Sequence, residues 1–128
     1  MINDKIMRIE EVDSVYLDRG IFFGDGVYEV LRSYNGKIFA IDEHFERFAN
    51  SLKAIEITSV NVDEIRSKVL KAFEKAGIAD AKIYFHITRG SGVRDHLPKA
   101  DLKPNFFLTI SELKDSPKLK NEGVAVST

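Results

Sequence analysis

The polar loop at residues 90–104 concentrates the side chains best suited to binding an anion. It reads GSGVRDHLPKADLKP, and Arg94 and His96 stand two residues apart in it. In an extended segment, residues two apart project to the same side, so both side chains can donate hydrogen bonds to one ligand. Arg89, just before the loop, adds a further positive charge or pairs with a carboxylate. A solvated basic turn is the alternative that the residues alone leave open.

A second candidate feature is the sequence FGDGVYEV at residues 23–30. Its two glycines permit backbone angles that other residues avoid, and Asp25 can cap the turn through its own side chain. In the strand that follows, alternate residues share a face, so Tyr28 and Val30 point to the same side. Two interpretations stay open: an ordinary turn into a half-buried strand, or a turn that directs Tyr28 and Val30 into a pocket.

Arg47 lies near the edge of the apolar stripe of a predicted helix. Its planar guanidinium matches a phosphate or carboxylate, which it can bind through two parallel hydrogen bonds. The alternative is a solvated side chain whose stem covers apolar surface. His44, one turn away, is expected only to pack or to cap.

Several classes of function are disfavoured by what the sequence lacks. It contains no cysteine, which removes thiolate metal sites and cysteine nucleophiles. Its histidines show no metal-binding spacing, and no GxSxG, P-loop or GxGxxG motif occurs. The 19 basic residues balance 20 acidic ones, so nucleic acid is not an expected partner. With no run of about 20 apolar residues and no signal-peptide pattern, we expect a cytoplasmic protein that does not enter a membrane.

Hydrophobic periodicity predicts the elements that must position these residues. We predict helices at residues 42–55 and 62–76, a loop at 16–20, and strands at 5–12, 27–34, 37–41, 81–89, 105–113 and from 121 onward. Asp42 is a good N-cap for the first helix, and Gly77 ends the second. Asn35-Gly36 predicts a tight hairpin. Two helices grouped between two sets of strands indicate one α+β domain with a mainly antiparallel sheet.

Taken in order, four segments resemble the N-terminal domain of class IV (fold-type IV) pyridoxal-phosphate aminotransferases. The segments are GDGVYE, YNGKIF, EHFERF and YFHITRG, and the likeness runs through residues 1–128. The family includes D-amino-acid and branched-chain aminotransferases and aminodeoxychorismate lyases. VYEV followed by TRGSGVRDH is most similar to the D-amino-acid (D-alanine) aminotransferases. In the branched-chain and lyase relatives the tyrosine is usually phenylalanine, and the Arg-x-His pair is missing.

The resemblance implies a role for each matched residue. Tyr28 would donate its hydroxyl to the substrate α-carboxylate, and Val30 would face the substrate side chain. Arg47 would hold the phosphate of pyridoxal 5'-phosphate. Arg94 and His96 would complete the carboxylate-binding set, reaching across from the neighbouring subunit of a homodimer.

Two departures from the family pattern accompany the resemblance. Asp95 places a carboxylate between the two proposed donors, where it either weakens their positive potential or orients His96. The family also needs a lysine to hold the cofactor covalently, and none of the lysines here falls at its position, which lies beyond Thr128. The resemblance therefore implies a C-terminal cofactor domain outside residues 1–128 and no catalytic residue within them.

We accordingly expect the N-terminal half of an aminotransferase that acts on a D-alanine-like amino acid and a 2-oxo acid, inactive alone and prone to self-association. One alternative is half of a branched-chain aminotransferase or of an aminodeoxychorismate lyase. Another is a non-catalytic domain that binds an anion or a partner chain.

Overall fold

The protein folds into a four-stranded sheet with two long helices packed on one face. The structure is a computed structural model, and it describes residues 1–114 and 121–127. The strands are β1 (Gly26–Tyr34), β2 (Lys37–Ile38), β3 (Ala81–Thr88) and β4 (Asn105–Glu112), and the helices are α1 (Arg19–Phe23), α2 (Ile41–Ala54) and α3 (Val62–Ala76). The spatial order is β2-β1-β3-β4, with every pair antiparallel. The predicted α+β class is confirmed. Neither described range contains a helix long and apolar enough to cross a membrane.

β1 alternates strictly between a buried face and an exposed face. Val27, Glu29, Leu31 and Ser33 face the helices, whereas the residues between them are exposed. The face that Tyr28 and Val30 share was therefore predicted correctly. Antiparallel pairing aligns Tyr28 with His86, and His86 with Phe107, so their side chains stand in a row on the uncovered face of the sheet.

An aromatic cluster fixes α2 over the sheet. Phe45 and Phe48 of α2 contact Phe85 of β3, with ring centroids 5.5 and 5.1 Å away. Both Phe48 and Phe85 are fully buried. Burying one such side chain stabilises the fold by about 1.5–3 kcal/mol. The apolar stripe predicted for α2 is thus the part of the core that holds this helix against β1 and β3.

The hairpin between β1 and β2 has the predicted backbone, but the strand that follows is shorter than predicted. Asn35 and Gly36 have φ angles of 50° and 77°, as a two-residue hairpin turn requires. The chain then leaves the sheet because Ala40 takes a left-handed φ of 49° and becomes the N-cap of α2. The prediction of Asp42 as N-cap is wrong: Asp42 lies in the first turn, where its carboxylate accepts a hydrogen bond from Arg66.

The strand predicted at residues 5–12 is wrong. This segment contains a 3-10 helix, Ile9–Glu11, and its one β-type pairing is the isolated bridge between Ile2 and Lys5. A strand needs a neighbour to satisfy its backbone, and no described strand pairs with this one. The strand predicted from residue 121 is likewise absent from residues 121–127, and Thr128 lies outside the described residues.

The loop predicted at residues 16–20 is instead helical. A 3-10 helix, Ser14–Leu17, is followed at once by α1. Asp13 and Asp18 cap these two turns by accepting hydrogen bonds from the N–H groups of Val15 and Gly20. Two acidic caps five residues apart therefore fold the chain back toward the start of β1.

Replacing Ser33 with alanine tests the buried polar contact of β1. The Ser33 hydroxyl donates to the Ala79 carbonyl at 2.9 Å and accepts from the Ala81 N–H at 2.8 Å, in a fully buried position. Ser33→Ala leaves the buried Ala81 N–H without this partner and the Ala79 carbonyl with only its bond from the Gly36 N–H, so we expect the free energy of unfolding in urea to fall by about 1–3 kcal/mol. Ser67→Ala, on the exposed side of α3, should change it by less than about 0.5 kcal/mol. Equal effects of the two substitutions would contradict this account.

Candidate functional site

A cavity of about 720 Å³ opens on the face of the sheet opposite α2 and α3. It lies where β1, β3 and β4 meet the helical segments at residues 14–24, and its lining includes Ile21, Tyr28, Tyr84, His86, Asn105 and Phe107. Aromatic side chains with a few polar groups are typical of sites that hold small organic ligands. The cavity is therefore the candidate site for substrate.

The floor of the cavity is a row of rings with one free hydroxyl. The Tyr84 hydroxyl lies 2.9 Å from Nδ1 of His86, and the His86 ring stacks on Phe107 with centroids 5.1 Å apart. Burial lowers the pKa of His86 and outweighs the opposing charge of Asp18, so this imidazole is neutral at pH 7. Tyr28 is 65% exposed, and its hydroxyl has no hydrogen-bond partner within the described ranges. Tyr28 can therefore donate to a ligand.

Asp18 closes one end of the cavity but is not available as a base. Its carboxylate is buried and accepts hydrogen bonds from the Gly20 N–H, the Thr88 hydroxyl and the Asn105 amide at 2.6–2.7 Å. Three donors satisfy most of its acceptor sites. Asp18 thus fastens α1 to the ends of β3 and β4, a role that sequence reasoning missed.

The two glycines of the GDG turn are needed for different reasons. Gly24 has a φ of 64° and ends α1 in the left-handed conformation. Gly26 is extended, but a Cβ there would lie 2.7 Å from the Ile87 carbonyl oxygen. The turn therefore lets β1 pass close to β3 and delivers Tyr28 to the cavity.

Asp25 does not cap this turn, contrary to the prediction. Its Oδ2 accepts from Nε of Arg19 at 2.7 Å and from Nε of Arg89 at 2.8 Å. Burial opposes ionisation of Asp25, but hydrogen bonds and charge from the two arginines outweigh it and hold its pKa below the usual range. Arg89 also donates to the Ile55 and Glu56 carbonyls just beyond α2. The prediction that Arg89 pairs with a carboxylate is confirmed.

Arg47 is held by a buried carboxylate that sequence reasoning missed. Glu29 is 2% exposed and accepts from Nε and Nη2 of Arg47 at 2.7 and 2.6 Å, and its Oε2 lies 2.8 Å from Nδ1 of His44. Burial alone would raise the pKa of Glu29. The hydrogen bonds and charges of Arg47 and His44 outweigh this effect, so the pKa lies below its usual value. The sequence did carry a signal for this contact: the two-residue period of β1 puts Glu29 on the core face, and a buried carboxylate requires partners.

Arg47 keeps donors free on its outer side. Its side chain is 67% exposed, and among the described residues Nη1 makes no hydrogen bond. Glu29 raises the pKa of Arg47 through its hydrogen bonds and its charge. Arg47 does not line the cavity. Glu29, which holds it, and Tyr28 are adjacent residues of β1 whose side chains lie on opposite faces of the sheet. Both belong to the part of β1 that β2 does not pair with, since β2 pairs only with Ser33 and Tyr34.

Arg94 and His96 lie together, but away from Tyr28. The Arg94 guanidinium is 5.0 Å from the centroid of the Phe23 ring, and the His96 ring is 5.6 Å from it. Neither residue lines the cavity, and neither does Val30, which shares the exposed face with Tyr28. Asp95 turns its carboxylate toward the Leu97 N–H at 3.3 Å, so it stabilises a local turn. Among residues 1–114 and 121–127, no group of acidic and histidine side chains has the arrangement of a metal site.

The Glu29 carboxylate makes folding stability depend on pH. Its pKa in the folded chain lies below the usual 4.5 of an exposed carboxyl, so its contribution is complete above that value and is lost as the pH falls through the lower one. Glu29→Gln should lower the free energy of unfolding at pH 7 by about 1–3 kcal/mol. As the pH is lowered, the free energy of unfolding of Glu29→Gln should also fall less steeply than that of the parent chain. Urea unfolding at a series of pH values measures this difference.

Glu46→Gln is the matched control, because Glu46 is an exposed carboxylate on the same helix as Arg47. It should leave both the stability and its pH dependence nearly unchanged. An identical acid profile for the parent chain and Glu29→Gln would show that Glu29 is not the group responsible.

Known proteins are similar to this chain in sequence. Residues 26–128 match the family described as amino-transferase class IV. A D-alanine aminotransferase from Staphylococcus epidermidis is 36% identical over 118 residues, which cover 91% of this chain and 42% of the relative. One from Bacillus licheniformis is 33% identical over 129 residues, covering 100% of this chain and 46% of the relative. The chain therefore spans less than half the length of these relatives.

Solved structures resemble the fold at lower sequence identity. A 4-amino-4-deoxychorismate lyase from Pseudomonas aeruginosa superposes with a TM-score of 0.72 at 23% identity, covering 90% of this chain and 39% of that one. A branched-chain amino acid aminotransferase from Escherichia coli gives a TM-score of 0.71 at 20% identity, covering 85% and 38%. These likenesses establish the fold, and the family match extends over most of the sequence. This chain belongs to the class IV aminotransferase family.

Proposed function

We propose that residues 1–128 are the N-terminal domain of a cytoplasmic aminotransferase that transfers the amino group of a D-alanine-like amino acid to a 2-oxo acid. The activity is assigned to the complete protein, because the chain spans 42–46% of the relatives' length. The observation that carries the proposal is the Tyr28 hydroxyl, which faces the cavity and has no hydrogen-bond partner among the described residues. The identity of 33–38% to D-alanine aminotransferases favours a D-amino acid.

The donor chemistry of this chain fits the phosphate end of pyridoxal 5'-phosphate. Arg47 presents an exposed guanidinium whose orientation Glu29 fixes through two hydrogen bonds. Related structures described as PLP-bound, or as complexed with pyridoxamine 5'-phosphate, support this cofactor. When bound, the cofactor supplies an electron sink for the charge left at the substrate α-carbon. Arg47 holds the phosphate so that the reacting end stays in place.

Tyr28, Arg94 and His96 bind the substrate carboxylate in this proposal. The phenol, guanidinium and imidazole offer several donors to the acceptor sites of one carboxylate. Holding the carboxylate fixes the α-carbon and its proton relative to the cofactor. This fixed geometry lowers the entropic part of the reaction barrier. Val30, on the same face as Tyr28, faces the substrate side chain.

The proposal includes pairing of two copies of the complete protein. Arg94 and His96 lie beside Phe23 rather than in the cavity that Tyr28 lines. This separation agrees with the family pattern, in which the pair serves the site of the neighbouring subunit. Exposed apolar side chains at Leu97 and Val93 stand in the same loop, as expected of a surface that meets another chain.

The branched-chain aminotransferase and the aminodeoxychorismate lyase remain the alternative activities. Solved structures with these names share the fold at 18–23% identity. They are the weaker proposal, because the Arg-x-His pair and the tyrosine at position 28 follow the D-amino-acid pattern. Turnover of a branched-chain L-amino acid in preference to D-alanine would favour them.

Tyr28→Phe in the complete protein tests the assignment directly. The change removes one hydrogen bond to a charged group, so kcat/KM for D-alanine should fall by roughly 10–100-fold, mostly through KM. Tyr34→Phe is the control, because Tyr34 is an exposed tyrosine on the same face at the far end of β1. It should leave the kinetics unchanged. Unaltered kcat/KM in Tyr28→Phe would remove the observation on which the proposal depends.

A further inference from the structure

We propose that Arg19 is a positioning residue that fixes the loop carrying Arg94 and His96, and thereby sets the affinity for the substrate carboxylate. The inference rests on the proposed function, because it takes Arg94 and His96 to be the carboxylate donors. Arg19 acts through the loop backbone and contacts neither the substrate nor the cofactor.

The guanidinium of Arg19 is buried and donates to two consecutive carbonyls of the loop. Nη1 lies 2.6 Å from the Asp95 carbonyl oxygen, and Nη2 lies 3.2 Å from that of His96. The residue is only 7% exposed, so little water competes for these bonds. Hydrogen bonds from a charged donor are stronger than neutral ones. The Asp95 carbonyl belongs to the peptide group before His96, and the His96 carbonyl belongs to the one after it. The path of the loop is therefore fixed at His96.

Phe23, one turn after Arg19 in α1, supports the two side chains themselves. The guanidiniums of Arg19 and Arg94 lie 4.7 and 5.0 Å from the centroid of its ring, and the His96 ring lies 5.6 Å away. A cation near an aromatic face is attracted to it. Arg19 therefore holds the backbone of the loop, while Phe23 offers the surface on which both donors rest.

Little else holds this part of the loop. Across the described ranges, the two bonds from Arg19 are the only hydrogen bonds that join residues 93–97 to the rest of the chain. The same residues are exposed. Without Arg19, the loop would sample other conformations, and a carboxylate would have to order it on binding. The cost would appear as weaker substrate binding.

Arg89 provides a matched control within the same cluster. It donates to the same Oδ2 of Asp25, at 2.8 Å against 2.7 Å for Arg19. Its remaining bonds go to the Ile55 and Glu56 carbonyls beyond α2, and none goes to the loop. Lysine at either position keeps the charge beside Asp25 but cannot make the forked set of bonds.

The test compares Arg19→Lys with Arg89→Lys in the complete protein with its cofactor. For Arg19→Lys, the KM values for D-alanine and for the 2-oxo acid should rise about tenfold or more, because the donors lose their fixed geometry. The change in kcat should stay below about threefold, and the Kd for pyridoxal 5'-phosphate should not move. Tryptic cleavage after Arg94 should be at least about tenfold faster, because the exposed loop no longer has a fixed path. Arg89→Lys should leave both KM values and this cleavage rate unchanged.

A second variant decides the question if Arg19→Lys does not fold. Phe23→Leu keeps every hydrogen bond of Arg19 and removes only the ring beneath the two donors. It should raise both KM values by about threefold or more, because the attraction that orders Arg94 is lost. KM values at the parent level in Phe23→Leu, or in a folded Arg19→Lys, would overturn the positioning role.

Arg94→Gln and His96→Gln, measured in parallel, separate this inference from the proposed function. If they raise KM while the Arg19 and Phe23 variants do not, the positioning role alone is wrong. If they also leave KM unchanged, the carboxylate-binding assignment fails and this inference falls with it.

Discussion

One carboxylate oxygen, Oδ2 of Asp25, joins the segments on which the site depends. It accepts from Arg19 and Arg89, whose other nitrogens hold the 93–97 loop and the chain beyond α2. Two guanidiniums side by side are tolerable only while this carboxylate is ionised, and their charge keeps its pKa low. Removing it would leave two partly buried cations facing one another, which is strongly destabilising. The acid between the two glycines is therefore the structural centre of the turn.

The same arrangement, a buried acid that orients an arginine, recurs on β1. Glu29 faces the core and fixes Arg47, whereas its neighbour Tyr28 faces the open cavity. Because adjacent residues of a strand project to opposite faces, one short edge segment can serve two different groups of a ligand. In the proposed function these are the cofactor phosphate and the substrate carboxylate. No described strand pairs with this part of β1 on the side of β2, and the Tyr28 and Arg47 side chains are both exposed.

The local elements of this fold could be predicted from the sequence, but the contacts that build the site could not. The apolar stripe of α2, the glycine after α3 and the Asn35-Gly36 turn depend on neighbouring residues, and each was recovered. The strand predicted at residues 5–12 was wrong because a strand also needs a partner strand, which periodicity does not reveal.

The bonds from Arg19 to Asp95 and His96 join residues 76 and 77 positions apart, and the one between Asp18 and Asn105 spans 87 positions. Only the folded sheet brings such pairs together. Glu29 is the exception: it was missed, although the two-residue period of β1 alone puts this acid on the core face.

The most direct test of the account is a crystal structure of the complete protein with a reduced covalent adduct of pyridoxal 5'-phosphate and D-alanine. We expect the adduct phosphate on Arg47, with the Arg47 guanidinium still bound to Glu29. We also expect the D-alanine carboxylate within hydrogen-bond distance of the Tyr28 hydroxyl and of Arg94 and His96 contributed by a second copy. An adduct whose carboxylate contacts none of these three residues, or whose phosphate lies away from Arg47, would contradict it.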